Sequence, residues 1–136
     1  MNEFVTASTS GVFTEFSLEY IFGQVFRLFA FATGVEWQDS FYVGSLLGQK
    51  IVINEFVAYS SLSDLLDKGV LSEKSVMIAT YSLCGFANFG SIAIQIGGIG
   101  SMAPNRQGEL SKIGLRAMFA AFLATLMTAT IAGVLF

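Results

Sequence analysis

Ile51-Val52-Ile53-Asn54-Glu55-Phe56-Val57-Ala58-Tyr59 places one acid inside an apolar run. No other charge occurs between Lys50 and Asp64, so the local sequence offers Glu55 no partner. In a bilayer a buried carboxylate costs several kcal/mol and marks a ligand or ion site by default. The segments on either side, Ser40–Ile53 and Phe56–Leu66, are short. At ~1.5 Å per residue the first reaches only ~21 Å, less than a hydrocarbon core of ~30 Å. Two short limbs meeting at Asn54-Glu55 predict a re-entrant helical hairpin whose tip carries Glu55 to about the midplane. Irregular backbone survives there only when buried in protein or lining a cavity. The alternative is one helix running through position 55, with Glu55 packed against a neighbour.

Composition says the surroundings are membrane. The chain has 136 residues, 54% hydrophobic and 12% charged, with a mean hydropathy of +0.67. Soluble domains carry roughly 25% charge. Ala117 to Phe136 is a run of twenty residues without a charge, long enough to span. These features predict an all-helical integral membrane protein. The net charge of −3, with seven scattered basic residues, leaves no nucleic-acid footprint. Cys84 is the only cysteine, which excludes an intramolecular disulfide and a cysteine-cluster zinc site. The absence of His removes the usual general base and the commonest metal ligand. No nucleophile has a base within motif range, so the chain reads as a non-enzyme without a cofactor. The first ten residues lack the pattern of a signal peptide.

Working outward from the hairpin, residues 1–16 are rich in Ser and Thr and read as poorly defined. Phe16–Gly34 is apolar but carries Glu19 and Arg27, which argues for a helix lying in the interface. Glu36-Trp37-Gln38-Asp39 is a polar break with Trp37 as a headgroup-level anchor. The hairpin then occupies 36–68, and Leu71-Ser72-Glu73 looks like the cap of the next helix. Ser72–Ala103 would form one helix of ~48 Å if unbroken. Gly85-Phe86-Ala87-Asn88-Phe89-Gly90-Ser91 is where it should break, giving a second half-helix that starts near Ser91. Discontinuous helices with ends at the midplane build the sites of secondary transporters. The competing reading of Gly90, Gly97, Gly98 and Gly100 is close helix packing, and Cys84 reads as a small packing residue. After a turn at Pro104–Gly108, Glu109–Phe136 is the last crossing. Arg106, Lys112 and Arg116 outnumber Lys68 and Lys74, which places residue 106 in the cytoplasm and the C-terminus outside.

A tip with Glu55 and a break with Asn88 and Ser91 would converge. Asn88 and Ser91 are three apart and share a face on a helical path. An acid, an amide and a hydroxyl suit a neutral polyol: the carboxylate accepts from hydroxyls, and the amide donates and accepts. Phe86 or Phe89 would add an aromatic surface.

Gly48-Gln49-Lys50-Ile51-Val52-Ile53-Asn54-Glu55-Phe56-Val57-Ala58-Tyr59, followed by Leu83-Cys84-Gly85-Phe86-Ala87-Asn88-Phe89-Gly90-Ser91-Ile92, resembles the C-terminal part of the concentrative nucleoside transporters. The similarity continues through Gly97-Gly98, Pro104, Arg106 and Gly114-Leu115-Arg116-Ala117, covering about residues 16–136. The resemblance implies an interfacial helix, a hairpin, a broken helix and a final helix, one half of an inverted repeat. It also implies that Glu55, Asn88 and Ser91 hold the ribose, with Phe86 nearby, during nucleoside uptake coupled to sodium or protons. Arg27 departs from the family, which tends to be apolar there with a proline.

Relative to the family, the first hairpin, the first broken helix and the trimerising scaffold are missing. The resemblance places nucleobase contacts and the sodium site in those elements. The implied partners are therefore a nucleoside, membrane lipid, the missing N-terminal half and a homotrimer, in a bacterial inner membrane. The alternative expectation is a truncated or split-gene membrane fragment without transport activity of its own.

Overall fold

The computed structural model describes residues 18–136, with side chains from Tyr20 onward; the reading of residues 1–16 and of Glu19 lies outside what it describes. Among the described residues all regular structure is helical. The helices are α1 (Leu18–Ala32), α2 (Ser40–Val52), α3 (Glu55–Asp67), α4 (Glu73–Leu83), α5 (Phe89–Met102) and α6 (Gln107–Leu135). A 3₁₀ turn, Pro104–Arg106, precedes α6 and occupies most of the expected loop.

The helix starts follow from local chemistry. Asn54, Ser72 and Asn88 cap α3, α4 and α5, each side chain accepting a backbone N–H three residues on. Such caps satisfy one of the donors that a helix start leaves open. The two limbs α2 and α3 have 13 residues each, about 20 Å long at ~1.5 Å per residue. They fold back at Ile53-Asn54, and Ser61 donates to Gln49 Oε1 across the limbs at 2.7 Å. The expected broken helix is interrupted from Cys84 to Asn88. Its second half starts at Phe89 rather than near Ser91, because the Asn88 side chain sets the first turn.

α1 lies against α2 at close range. A Cβ on Gly44 would meet the Arg27 backbone nitrogen at 2.8 Å, so only glycine allows this crossing. Arg27, unexpected on an apolar helix, stacks over Trp37 at 3.8 Å and donates to Ser40 Oγ at 3.0 Å. Asp39 joins the start of α2 to that of α4 by accepting from the Ser72 N–H at 3.0 Å and the Ser72 hydroxyl at 2.9 Å. Burial opposes ionisation of Asp39, but bonds from the Ser72 backbone and the Ser75 and Ser72 hydroxyls outweigh it. The carboxyl therefore sits below its ordinary value.

The core runs through α2, α3, α4 and α6 by way of Leu46, Leu47, Leu62, Ile78, Leu83 and Leu126. Phe122 closes it edge-on against Phe29, with ring centroids 5.6 Å apart. Tyr59 ties α3 to α4 by donating to the Thr80 carbonyl at 2.8 Å. α6 leaves a long apolar surface uncovered: Ile113, Leu115, Phe119, Met127, Ile131 and Val134 are all exposed. The stretch Pro104–Leu135 is long and apolar enough to cross a membrane. One smaller expectation fails, and the packing alternative for the glycines holds at one position. Cys84 is exposed rather than packed, because the chain leaves the helix there. Gly97 and Gly98 face open space, whereas Gly100 does pack, against Gln107.

Candidate functional site

Two helix starts face each other at the centre of the site. Glu55 is the first residue of α3, so its carboxylate lies at the positive end of its own helix. Asn88, 3% exposed, caps α5 from the other side. Its Oδ1 accepts the Ser91 N–H at 2.7 Å and the Ser91 hydroxyl at 2.9 Å. With Oδ1 thus committed, Nδ2 points out of the cap and donates to Glu55 Oε2 at 2.8 Å. The structure therefore brings Glu55 to Asn88, 33 residues away in sequence, and with it to Ser91.

The polar capacity left over can be counted. Among the described residues Glu55 Oε1 accepts no hydrogen bond. Asn88 Nδ2 carries a second N–H, and Ser91 Oγ, having donated, retains lone pairs. Acceptor, donor and acceptor remain, a pattern that complements two neighbouring hydroxyls.

Phe86 is 78% exposed and lines a cavity of about 250 Å³ between α5 and α6, together with Asn88, Ser91, Gln95 and Ile96. Phe89 lies outside that lining and is about half exposed. The acid Glu55 is likewise not part of the cavity wall.

Lys50 is the feature that sequence reasoning missed. It is fully buried, and its ammonium donates to the Ser82 carbonyl at 2.8 Å. It also attracts the Glu55 carboxylate electrostatically, so Glu55 is not without a charged neighbour. The available signal was its place in the last turn of the first limb, five residues before Glu55. A lysine at the end of a limb reads as a boundary charge, and that masked it.

A short hairpin facing an interrupted helix, with polar side chains at the ends, is the construction of a secondary transporter. The comparisons agree on which kind. Residues 1–133 match the family model described as "Na+ dependent nucleoside transporter C-terminus". An uncharacterized transporter of Bacillus subtilis, YutK, is 47% identical over 117 residues, covering 86% of this chain and 28% of that protein. Solute carrier family 28 member 3 of mouse is 46% identical over 136 residues, covering 90% of this chain and 19% of that protein. A solved structure of CNTnw in an inward-facing substrate-bound state superposes with a TM-score of 0.85 at 41% identity, covering 95% of this chain and 32% of that one.

The chain belongs to the concentrative nucleoside transporter family. It spans between about a fifth and a third of the length of these relatives.

Proposed function

We propose that this chain supplies the ribose-binding side of a nucleoside transport site, with α2 and α3 forming a re-entrant hairpin. The observation that carries the reading is the Asn88–Glu55 bond at 2.8 Å between two helix starts. Glu55 Oε1 accepts from one sugar hydroxyl, while the second N–H of Asn88 donates to it. Ser91 Oγ accepts from its neighbour. The starts of α3 and α5, each the positive end of its helix, meet at the carboxylate and the amide that would face the sugar. Phe86, on the cavity wall beside Asn88, offers a face for the sugar or base.

Uptake is coupled to an ion, sodium or a proton, whose site we assign to residues outside this chain. The family description, which specifies sodium dependence, favours sodium. The exposed apolar surface of α6 faces lipid or the elements that the longer relatives add, including a homotrimeric scaffold. The excess of Arg106, Lys112 and Arg116 over Lys68 and Lys74 puts the C-terminus on the outside of a bacterial inner membrane.

The test grafts residues 16–136 in place of the matching C-terminal third of the CNTnw relative and measures radiolabelled uridine uptake in proteoliposomes. Glu55→Gln should abolish uptake without loss of membrane insertion. Normal uptake by that variant sinks the site.

A further inference from the structure

The break between α4 and α5 leaves two open helix ends, and α2–α3 brings one charge to each. In a continuous helix the Ser82 carbonyl would accept the N–H of residue 86. Here the helix stops at Leu83, and the N–H groups of Cys84 and Gly85 turn back to Tyr81 and Leu83 at 3.2 and 2.8 Å. The Ser82 carbonyl takes its hydrogen from Lys50 instead. An ammonium with no exposure to solvent is tolerated only when paired. Lys50 finds its pairing in that carbonyl, in the negative end of α4 and in the attraction of Glu55.

The segment that follows is held on two sides. A Cβ on Gly85 would meet Thr125 Oγ1 of α6 at 2.8 Å and Lys50 Nζ at 3.8 Å. Three residues later the same segment delivers Asn88 to Glu55. Lys50 and Glu55 sit on the two limbs of one hairpin, so they grip the two sides of one break.

We propose that Lys50 is a positioning residue for the sugar site, fixing the Cys84–Asn88 segment so that Asn88 reaches Glu55. The assignment rests on the proposed ribose-binding reading of Glu55 and Asn88. Its structural half can be measured without a nucleoside, because Cys84 is exposed at the break and is the chain's only cysteine.

The experiment uses the grafted transporter on a background whose only thiol is Cys84. It compares unsubstituted protein with Lys50→Met, Lys50→Arg and Glu55→Gln, reading the labelling rate of Cys84 by a polar maleimide and the KM for uridine. Lys50→Met, which removes charge and donor while keeping the length, should change the labelling rate and raise KM about tenfold, as loss of a charged hydrogen bond does. Lys50→Arg should restore both toward the unsubstituted values. Should Lys50→Met fail to insert, Lys50→Gln takes its place with the same expectation and a smaller change. Unsubstituted labelling and KM in the neutral variant, or an arginine variant no better than the neutral one, overturns the proposal. Glu55→Gln separates the two ideas: glutamine keeps an acceptor for the Asn88 amide, so the variant should lose uridine uptake while changing Cys84 labelling less than Lys50→Met does. Normal uptake there removes the ribose reading and leaves the labelling result standing.

Discussion

Two asparagines cap two helices at two breaks, and they use the same chemistry to different ends. At the hairpin tip, Asn54 accepts the Val57 N–H at 2.9 Å, and its cap is complete. At the broken helix, Asn88 accepts twice from Ser91 and still donates to Glu55 across the gap. One cap closes a helix; the other closes a helix and also bridges to an acid on another. A capping asparagine can thus link two helices when an acceptor stands opposite its amide nitrogen. The tip supplies that acceptor in the residue after its own cap.

The comparison can be broken by substitution at either break. The largest effect belongs to Glu55→Gln, which removes the charge and turns one of the two acceptor oxygens into a donor, and should abolish uridine uptake by the grafted transporter. Asn88→Ala comes next. It removes the cap and the bridge together, so uridine affinity should fall about 10- to 100-fold, the range for losing a charged hydrogen bond of ~1.5–3 kcal/mol. A smaller change, affecting stability alone, would mean that Asn88 is only a cap. Asn54→Ala supplies that contrast. It should lower stability by about 1 kcal/mol, the usual value of an N-cap, with uridine KM within about twofold. A collapse of transport in Asn54→Ala would erase the distinction between the two breaks.

The smallest expected effect lies away from both breaks. Asp39 has a lowered carboxyl pKa, so the stability due to its ionised form is fully present above its ordinary value of 3.8 and is lost as pH falls through the lowered value. Asp39→Asn should flatten the acid side of the stability profile and leave uridine KM unchanged. An unaltered acid limb in thermal unfolding would show that the Asp39–Ser72 link adds nothing.

Much of this was legible in the sequence because polar residues in apolar runs are expensive and therefore few. Glu55 and Asn88 stood out for that reason, and the short limbs and glycine-flanked break followed from length. The boundaries moved by a few residues because a cap, rather than a glycine, decides where a helix begins, as Asn88 does for α5. What stayed hidden is long-range. Lys50 bonds to a carbonyl 32 residues away, and Asp39 to a serine 33 residues away. No local pattern encodes either partner. Cys84 misled for a related reason: small residues pack inside helices, and this one sits where the helix has stopped.

The most direct test of the account asks whether Glu55 reads sugar hydroxyls. In the grafted transporter, competition by uridine and by 2′,3′-dideoxyuridine against radiolabelled uridine uptake gives the preference for the hydroxylated sugar. Binding of both nucleosides to the Glu55→Gln protein by calorimetry gives the same quantity where uptake is lost. The account predicts a strong preference for uridine in the unsubstituted protein and equal, weak binding of both nucleosides in Glu55→Gln. A preference that survives the substitution at full size would contradict it.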